Sequence, residues 1–131
     1  MIVLDASALI ELLLGTPRGL QVADLLEDAT VSVHVPHLAD VEVSHALRRL
    51  VTVKAISDAM AGEAVDELQN LPLVRHGHDA TLDRMWALRR NVSAYDAAYL
   101  ALAEVLGATL VTCDRRLAKG SGSTARVSVI A

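Results

Sequence analysis

The sequence predicts an α/β fold in which a parallel sheet carries helices on both faces. Three observations predict it. Strand-like and helix-like segments alternate along the 131 residues, the pattern that builds parallel sheets. The strand segments are near-continuous apolar runs rather than alternating ones, as strands covered on both faces require. Glycine and proline punctuate the joints, at Gly15, Thr16-Pro17, Pro36 and Gly107, where helices and strands should stop.

Taken in order, Met1–Leu4 reads as a strand ending at Asp5, and Ala6–Leu14 as a short helix stopped by Gly15. Pro17 suits the first turn of a helix running to about Asp28. Val31–Val35 is a second strand, closed by Pro36. His37–Val51 is a long helix whose apolar stripe is Leu38, Ala39, Val43, Ala46, Leu47 and Leu50. Ser57 caps a helix extending to about Asn70, and Pro72–Arg75 is a brief third strand. Helices follow over Asp79–Arg90 and Ala94–Leu106, then a fourth strand, Ala108–Cys113. Arg115–Ala118 has the length of one helical turn, the Gly/Ser-rich Lys119–Thr124 is expected to be mobile, and Val127–Ile130 is a last strand. No repeat or low-complexity tract interrupts this order, and the length suits one domain spanning 1–131.

Composition narrows the function classes. The chain is 53% hydrophobic but only 2% aromatic and has no Phe, so its core is aliphatic. The modules that read RNA on aromatic stacking platforms are disfavoured. One cysteine, Cys113, allows no internal disulfide and fits a reducing cytoplasm. No signal-peptide pattern opens the chain, and no apolar stretch reaches membrane-spanning length. The net charge of -4 does not announce a nucleic-acid binder, although two bound divalent cations would offset it. The basic residues cluster at Arg48 and Arg49, at Arg84, Arg89 and Arg90, and at Arg115, Arg116 and Lys119. These are solvated helix faces or a phosphate-contacting rim.

Four acids carry the chemical signal. Asp5 and Asp114 each close an apolar strand. Glu42 stands between Val41 and Val43 beside a helix's apolar stripe, and Asp96 lies in the first turn of another helix. The carboxyl ends of parallel strands are where open α/β sheets bind ligands. Carboxylates gathered there repel one another, and a hard divalent cation such as Mg²⁺, which prefers oxygen ligands, relieves that cost. Each acid also has a plain structural reading. Asp5 and Asp114 can cap the helical turns that follow them, Ser93 and Asp96 match a capping box, and Glu42 can be a solvated rim residue. Two features favour a shared cation. An unpaired carboxylate at the edge of a buried face is costly, and capping does not explain why two such acids fall at the ends of central strands. Ser7 and Ser93 stand where they can orient Asp5 and Asp96.

Competing chemistries fit less well. Five histidines include His34, His37 and His45 in one stretch and His76-Gly-His78 in another, without zinc-site spacing. Lys119-Gly-Ser-Gly-Ser-Thr lacks the phosphate-loop order. Cys113 ends a buried strand and reads as an inert thiol. A haloacid-dehalogenase-type phosphatase needs a second acid where Ser7 stands. A phospho-receiver domain needs paired acids after the first strand and a late lysine at a strand end.

The run into Asp5-Ala-Ser7-Ala-Leu, the Pro36…Glu42…Ala46-Leu47 helix, the Ala94–Ala103 segment AYDAAYLALA and Leu110-Val-Thr-Cys-Asp114 together resemble PIN-domain ribonucleases, in particular VapC-type toxins of bacterial toxin–antitoxin pairs. The resemblance spans essentially the whole chain. It implies a PIN-like three-layer α/β/α fold with a mainly parallel sheet of about four to five strands. It also implies a Mg²⁺-dependent endoribonuclease, with Mn²⁺ as a possible substitute. Asp5, Glu42, Asp96 and Asp114 would form the acidic quartet that holds the metal. A metal-activated water would cut RNA to 5′-phosphate and 3′-hydroxyl ends. The implied partners are an RNA substrate, a cognate antitoxin that places a residue, often basic, in the acidic site, and a second copy of the chain. Many relatives carry a further acid just after the position of Asp114, where this chain has Arg115 and Arg116. A non-catalytic PIN domain that only binds RNA or a partner is the alternative, and the intact quartet speaks against it. The Ser57–Asn70 helix, with Ile56, Met60, Ala61, Val65 and Leu68, is a candidate face for the antitoxin.

Overall fold

The computed structural model describes residues 1–131. Its elements are β1 (Ile2–Leu4), α1 (Ala6–Leu14), α2 (Pro17–Leu26), β2 (Val33–Pro36), α3 (Leu38–Thr52), α4 (Asp58–Asn70), β3 (Leu73–His76), α5 (Leu82–Ala87), α6 (Ala94–Leu106), β4 (Thr109–Thr112), a single 3₁₀ turn over Arg115–Ala118, and β5 (Val127–Val129). The five strands form one sheet in the order β3-β2-β1-β4-β5, and every pairing is parallel. The expected mainly parallel sheet is therefore wholly parallel. Helices α1 to α4 pack on one another as one layer, while α6 lies against β1, β2 and β4 with α5 upon it.

The core is aliphatic, as the composition requires. Val3, Leu4, Leu9, Val35, Val43, Leu100 and Leu110 are fully buried. The expected stripe of α3 is oriented inward, with Ala39, Val43 and Leu47 buried. Gly15 and Gly107 end α1 and α6 in the left-handed conformation, where a missing Cβ removes the steric cost. Gly19 serves a different purpose: a Cβ there would fall 1.9 Å from the Glu11 carbonyl oxygen. Only a glycine lets α2 approach α1 this closely.

Two expectations are corrected. The helix expected over Asp79–Arg90 shrinks to Leu82–Ala87. Thr81 makes no side-chain cap bond there, and residues 88–92 close as successive turns through bonds such as Asn91 N–H to the Leu88 carbonyl. The Gly/Ser-rich segment, expected to be mobile, is held by Glu104. The Glu104 carboxylate accepts bonds from the Ser123 hydroxyl at 2.6 Å and the Thr124 N–H at 2.9 Å, and Ser121 is buried.

Candidate metal and nuclease site

The strand order places the site. From β1 the chain moves outward through β2 and β3, then returns to the other side of β1 for β4 and β5. The crevice between the carboxyl ends of β1 and β4 is thus the point where strand order reverses, the usual ligand site of an open parallel sheet. Leu4 pairs with Val111, so Asp5 leaves β1 level with Thr112, the last residue of β4, and Asp114 follows two residues on.

Asp5 is the most enclosed of the four acids, at 5% exposure. It caps α1 by accepting the Ala8 N–H at 2.9 Å, so the capping reading holds. The remaining bonds go further than capping needs. The Ser7 hydroxyl donates to Oδ1 at 2.6 Å and the Thr112 hydroxyl to Oδ2 at 2.5 Å. Ser7 is itself fixed by the Cys113 N–H at 2.9 Å. Thr112 also accepts the Asp114 N–H at 2.9 Å. The two strand ends are therefore stitched together through Asp5, Ser7 and Thr112. Burial raises the Asp5 carboxyl above its ordinary range, the hydroxyls of Ser7 and Thr112 pull it back, and the charge on Asp114 adds to the rise.

Glu42 reaches the same region from α3. It is raised first by burial, and the nearby charges of Asp96 and Asp5 push it further, against the bond it receives from Tyr99. Asp96 sits in the first turn of α6, whose cap is Ser93: the Asp96 N–H donates to the Ser93 hydroxyl at 3.2 Å. Burial raises Asp96 too, Arg116 lowers it, and Asp114 raises it. Asp114 differs from the other three. It caps the 3₁₀ turn through the Arg116 N–H at 2.9 Å, and both its oxygens engage the Arg116 guanidinium, at 3.0 and 2.6 Å. That pairing holds Asp114 below its ordinary range.

The four predicted acids thus lie near enough for charge to act between Asp5 and Asp114, Asp114 and Asp96, Asp96 and Glu42, and Glu42 and Asp5. The structure also adds two residues that the acids alone did not reveal, Thr112 and Tyr99. Tyr99 is 2% exposed and donates from its hydroxyl to Glu42. It lies three residues after Asp96, on the same helix face, and a buried phenol ordinarily finds a partner.

The donor set fits a hard divalent cation. Asp5, Glu42 and Asp96 have no ion-pair partner; burial raises all three, the charge of Asp114 adds to the rise of Asp5 and Asp96, and the charges of Asp96 and Asp5 add to that of Glu42. The arrangement therefore carries uncompensated negative charge. As the side chains stand, no three carboxylate, imidazole or thiol groups converge closely enough to grip one ion directly. Mg²⁺ takes few protein ligands and keeps several waters, which suits carboxylates spread around a crevice. The other candidates dissolve into structure. His34 shares 2.8 Å bonds with His76 and Ser32, and burial raises the half-buried Cys113 thiol.

Fold and site together define a parallel α/β domain with an acidic centre at its switch point. Residues 2–122 match the model of the PIN domain. The chain is 44% identical to Ribonuclease VapC12 of Mycobacterium tuberculosis over 131 residues, the full length of both. It is 37% identical to VapC ribonuclease Mb0985 of Mycobacterium bovis over 130 residues, 99% of this chain and 98% of that one. Among solved structures, a chain of VapBC2 from Rickettsia felis, bound to a DNA fragment from their promoter, superposes with a TM-score of 0.73 over 98% of each chain at 14% identity. This chain belongs to the PIN-domain family, within its VapC branch.

Proposed function

We propose that this protein is the Mg²⁺-dependent endoribonuclease toxin of a toxin–antitoxin pair, cutting RNA at the centre formed by Asp5, Glu42, Asp96 and Asp114. The observation that carries the reading is the uncompensated charge of Asp5, Glu42 and Asp96 around a crevice at the end of β1. Full-length similarity to chains named as VapC ribonucleases supports the activity.

Asp5, Glu42, Asp96 and Asp114 would hold the cation, with Mn²⁺ a possible substitute. When bound, the ion supplies a water of lowered pKa and neutralises charge on the scissile phosphate. The protein's part is positional. Ser7 and Thr112 lock both oxygens of Asp5, so that this carboxylate loses little freedom on binding. Tyr99 fixes one oxygen of Glu42 and leaves the other open. Arg116, Lys119 and Asn91 line a cleft of about 540 Å³ with Glu42 and Asp96, giving an RNA backbone cationic and amide contacts beside the acids. Protein purified free of its partner is expected to cut RNA with Mg²⁺ and to stop with EDTA. Undiminished cleavage in EDTA would refute the metal mechanism.

For the antitoxin, the structure redirects attention from α4. Ala64 and Leu68 of that helix are buried and Ile56 and Ala61 pack against the core, leaving Met60 and Val65 exposed. A larger groove, of about 910 Å³, runs between α1 and α3. Ile10, Leu38, Val41, Leu50 and Val53 supply its apolar walls, and Arg18 and Arg49 also line it. An amphipathic helix suits such a groove. Ser7 and Glu42 also line it, so an occupant would reach the acidic centre. A second copy of the chain is the remaining proposed partner.

A further inference from the structure

One acid of the centre is paired to a cation of the chain itself. Arg116 follows Asp114 by two residues, and its guanidinium takes both Asp114 oxygens, Nη2 to Oδ2 at 2.6 Å and Nε to Oδ1 at 3.0 Å. It lines the cleft that also holds Glu42 and Asp96, and its charge acts on Asp96. The side chain is nevertheless 83% exposed. The other arginine pairs of the chain, Arg18 with Glu11, Arg75 with Asp40 and Arg84 with Glu104, engage acids other than the four of this centre.

Resting on the metal reading above, we propose that Arg116 is a built-in counter-cation that occupies Asp114 until a divalent ion displaces it, and that the released guanidinium then takes a phosphate of the RNA. A guanidinium on both oxygens of Asp114 neutralises the charge that a metal ion bound to that carboxylate would use, so the two cations compete for it. Direct metal binding to Asp114 therefore weakens or breaks these charge-assisted bonds. The bond broken is cheap because the guanidinium is solvated, so Arg116 sets the affinity of the site without closing it. Once released, its fork geometry matches a phosphodiester as well as it matched the carboxylate. Its place in the cleft puts it where substrate would lie. Arg116 is thus a positioning residue with two opposed effects: it weakens metal binding and strengthens RNA binding.

That opposition gives the test. Mn²⁺ binding is measured by titration calorimetry on the full chain, free of partner, for wild type, Arg116→Ala, Arg116→Gln and Asp96→Asn. Circular dichroism checks the fold. RNA cleavage is then followed at saturating Mn²⁺. Both Arg116 variants are expected to bind Mn²⁺ more tightly, on the order of 3–10-fold, the scale of losing a solvated ion pair with good geometry. Their KM for RNA is expected to rise, with the salt dependence of RNA binding reduced by about one phosphate contact. Asp96→Asn is expected to lose Mn²⁺ binding. Unchanged Mn²⁺ affinity in both Arg116 variants, with Asp96→Asn still defective, overturns the counter-cation role and leaves the metal site standing. Absence of Mn²⁺ binding in wild type and in every variant overturns the metal reading and this inference together. A lower or unchanged KM in the Arg116 variants overturns the exchange onto phosphate.

Discussion

The Tyr99 hydroxyl donates a 2.6 Å hydrogen bond to Oε1 of Glu42, tying α6 to α3 across 57 residues of sequence. Tyr99 is almost wholly enclosed, and burial together with the Glu42 charge pushes its own pKa far up. The phenol is therefore a permanent donor. It orients the Glu42 carboxylate and offsets part of the burial that would otherwise favour its protonation.

Removing that donor tests its role. Tyr99→Phe keeps the ring and its packing but leaves a half-buried carboxylate short of a partner. The expected stability loss is roughly 1–3 kcal/mol, the usual range for a hydrogen bond to a charged group, read from urea unfolding. Mg²⁺-dependent RNA cleavage is expected to fall about 10–100-fold, the scale of losing a residue that orients a ligand. Wild-type cleavage in a folded Tyr99→Phe protein would show that Glu42 needs no such support.

A second prediction concerns the Gly/Ser-rich segment before β5. Glu104 accepts bonds from Arg84 at 2.7 Å, Ser123 at 2.6 Å and the Thr124 N–H at 2.9 Å. The Arg84 bond is the largest of several effects that lower its carboxyl from an ordinary 4.5 to about 2. A folded-state pKa below the unfolded one means that the unfolded chain binds more protons between those two values. Stability from this cluster is thus complete above about pH 4.5 and is lost as pH falls toward 2. Glu104→Gln is expected to lower the melting temperature at pH 7 and to abolish most of the acid dependence in that window. Identical acid melting curves for the two proteins would contradict it.

Much of this architecture is legible in the sequence because it is local. Apolar runs that end in Asp5 and Asp114 locate two adjacent strands, and Ser57 and Ser93 mark two helix starts. The acids stand out in the sequence because Asp5 and Asp114 follow apolar strands and Glu42 sits beside an apolar stripe, places where a carboxylate is costly. Thr112 was not legible as a site residue. A threonine at a strand end is ordinary, and only the β1–β4 register places its hydroxyl on Asp5. Tyr99 was hidden because its partner lies in another helix. The misread α5 and the Gly/Ser segment share one cause. Composition indicates local preference, whereas Glu104, 18 residues before Gly122, supplies the tertiary bonds that order the segment.

The groove between α1 and α3, proposed above for the antitoxin, makes a third prediction. Val41 and Val53 line it and are 65% and 71% exposed, so a charge at either should leave the fold intact. Val41→Asp and Val53→Asp are expected to reduce co-purification with the proposed antitoxin by tenfold or more, since a buried unpaired charge costs at least about 1.4 kcal/mol. Met60→Asp on α4 is expected to leave it unchanged. The reverse pattern would return the interface to α4.

The last prediction turns the repulsion of the acidic centre into a measurement. Asp96 is raised above its ordinary pKa by burial and by Asp114, even with Arg116 nearby. Asp5 and Glu42 are raised as well. For these groups the folded chain binds the extra protons. The metal-free protein therefore loses stability as pH rises from the ordinary carboxylate range through the raised values. Asp96→Asn removes one of the repelling charges. It is expected to raise the melting temperature of the metal-free protein at pH 7 by a few degrees, on a scale of roughly 3–6 °C per kcal/mol for a chain of this size, with the gain vanishing near pH 3. Mg²⁺ is expected to reverse the order, because an ion that binds only the folded wild type would stabilise it by mass action while the Asn variant would gain little. A variant no more stable than wild type without metal, or one stabilised equally by Mg²⁺, would show that Asp96 bears no such charge burden at this centre.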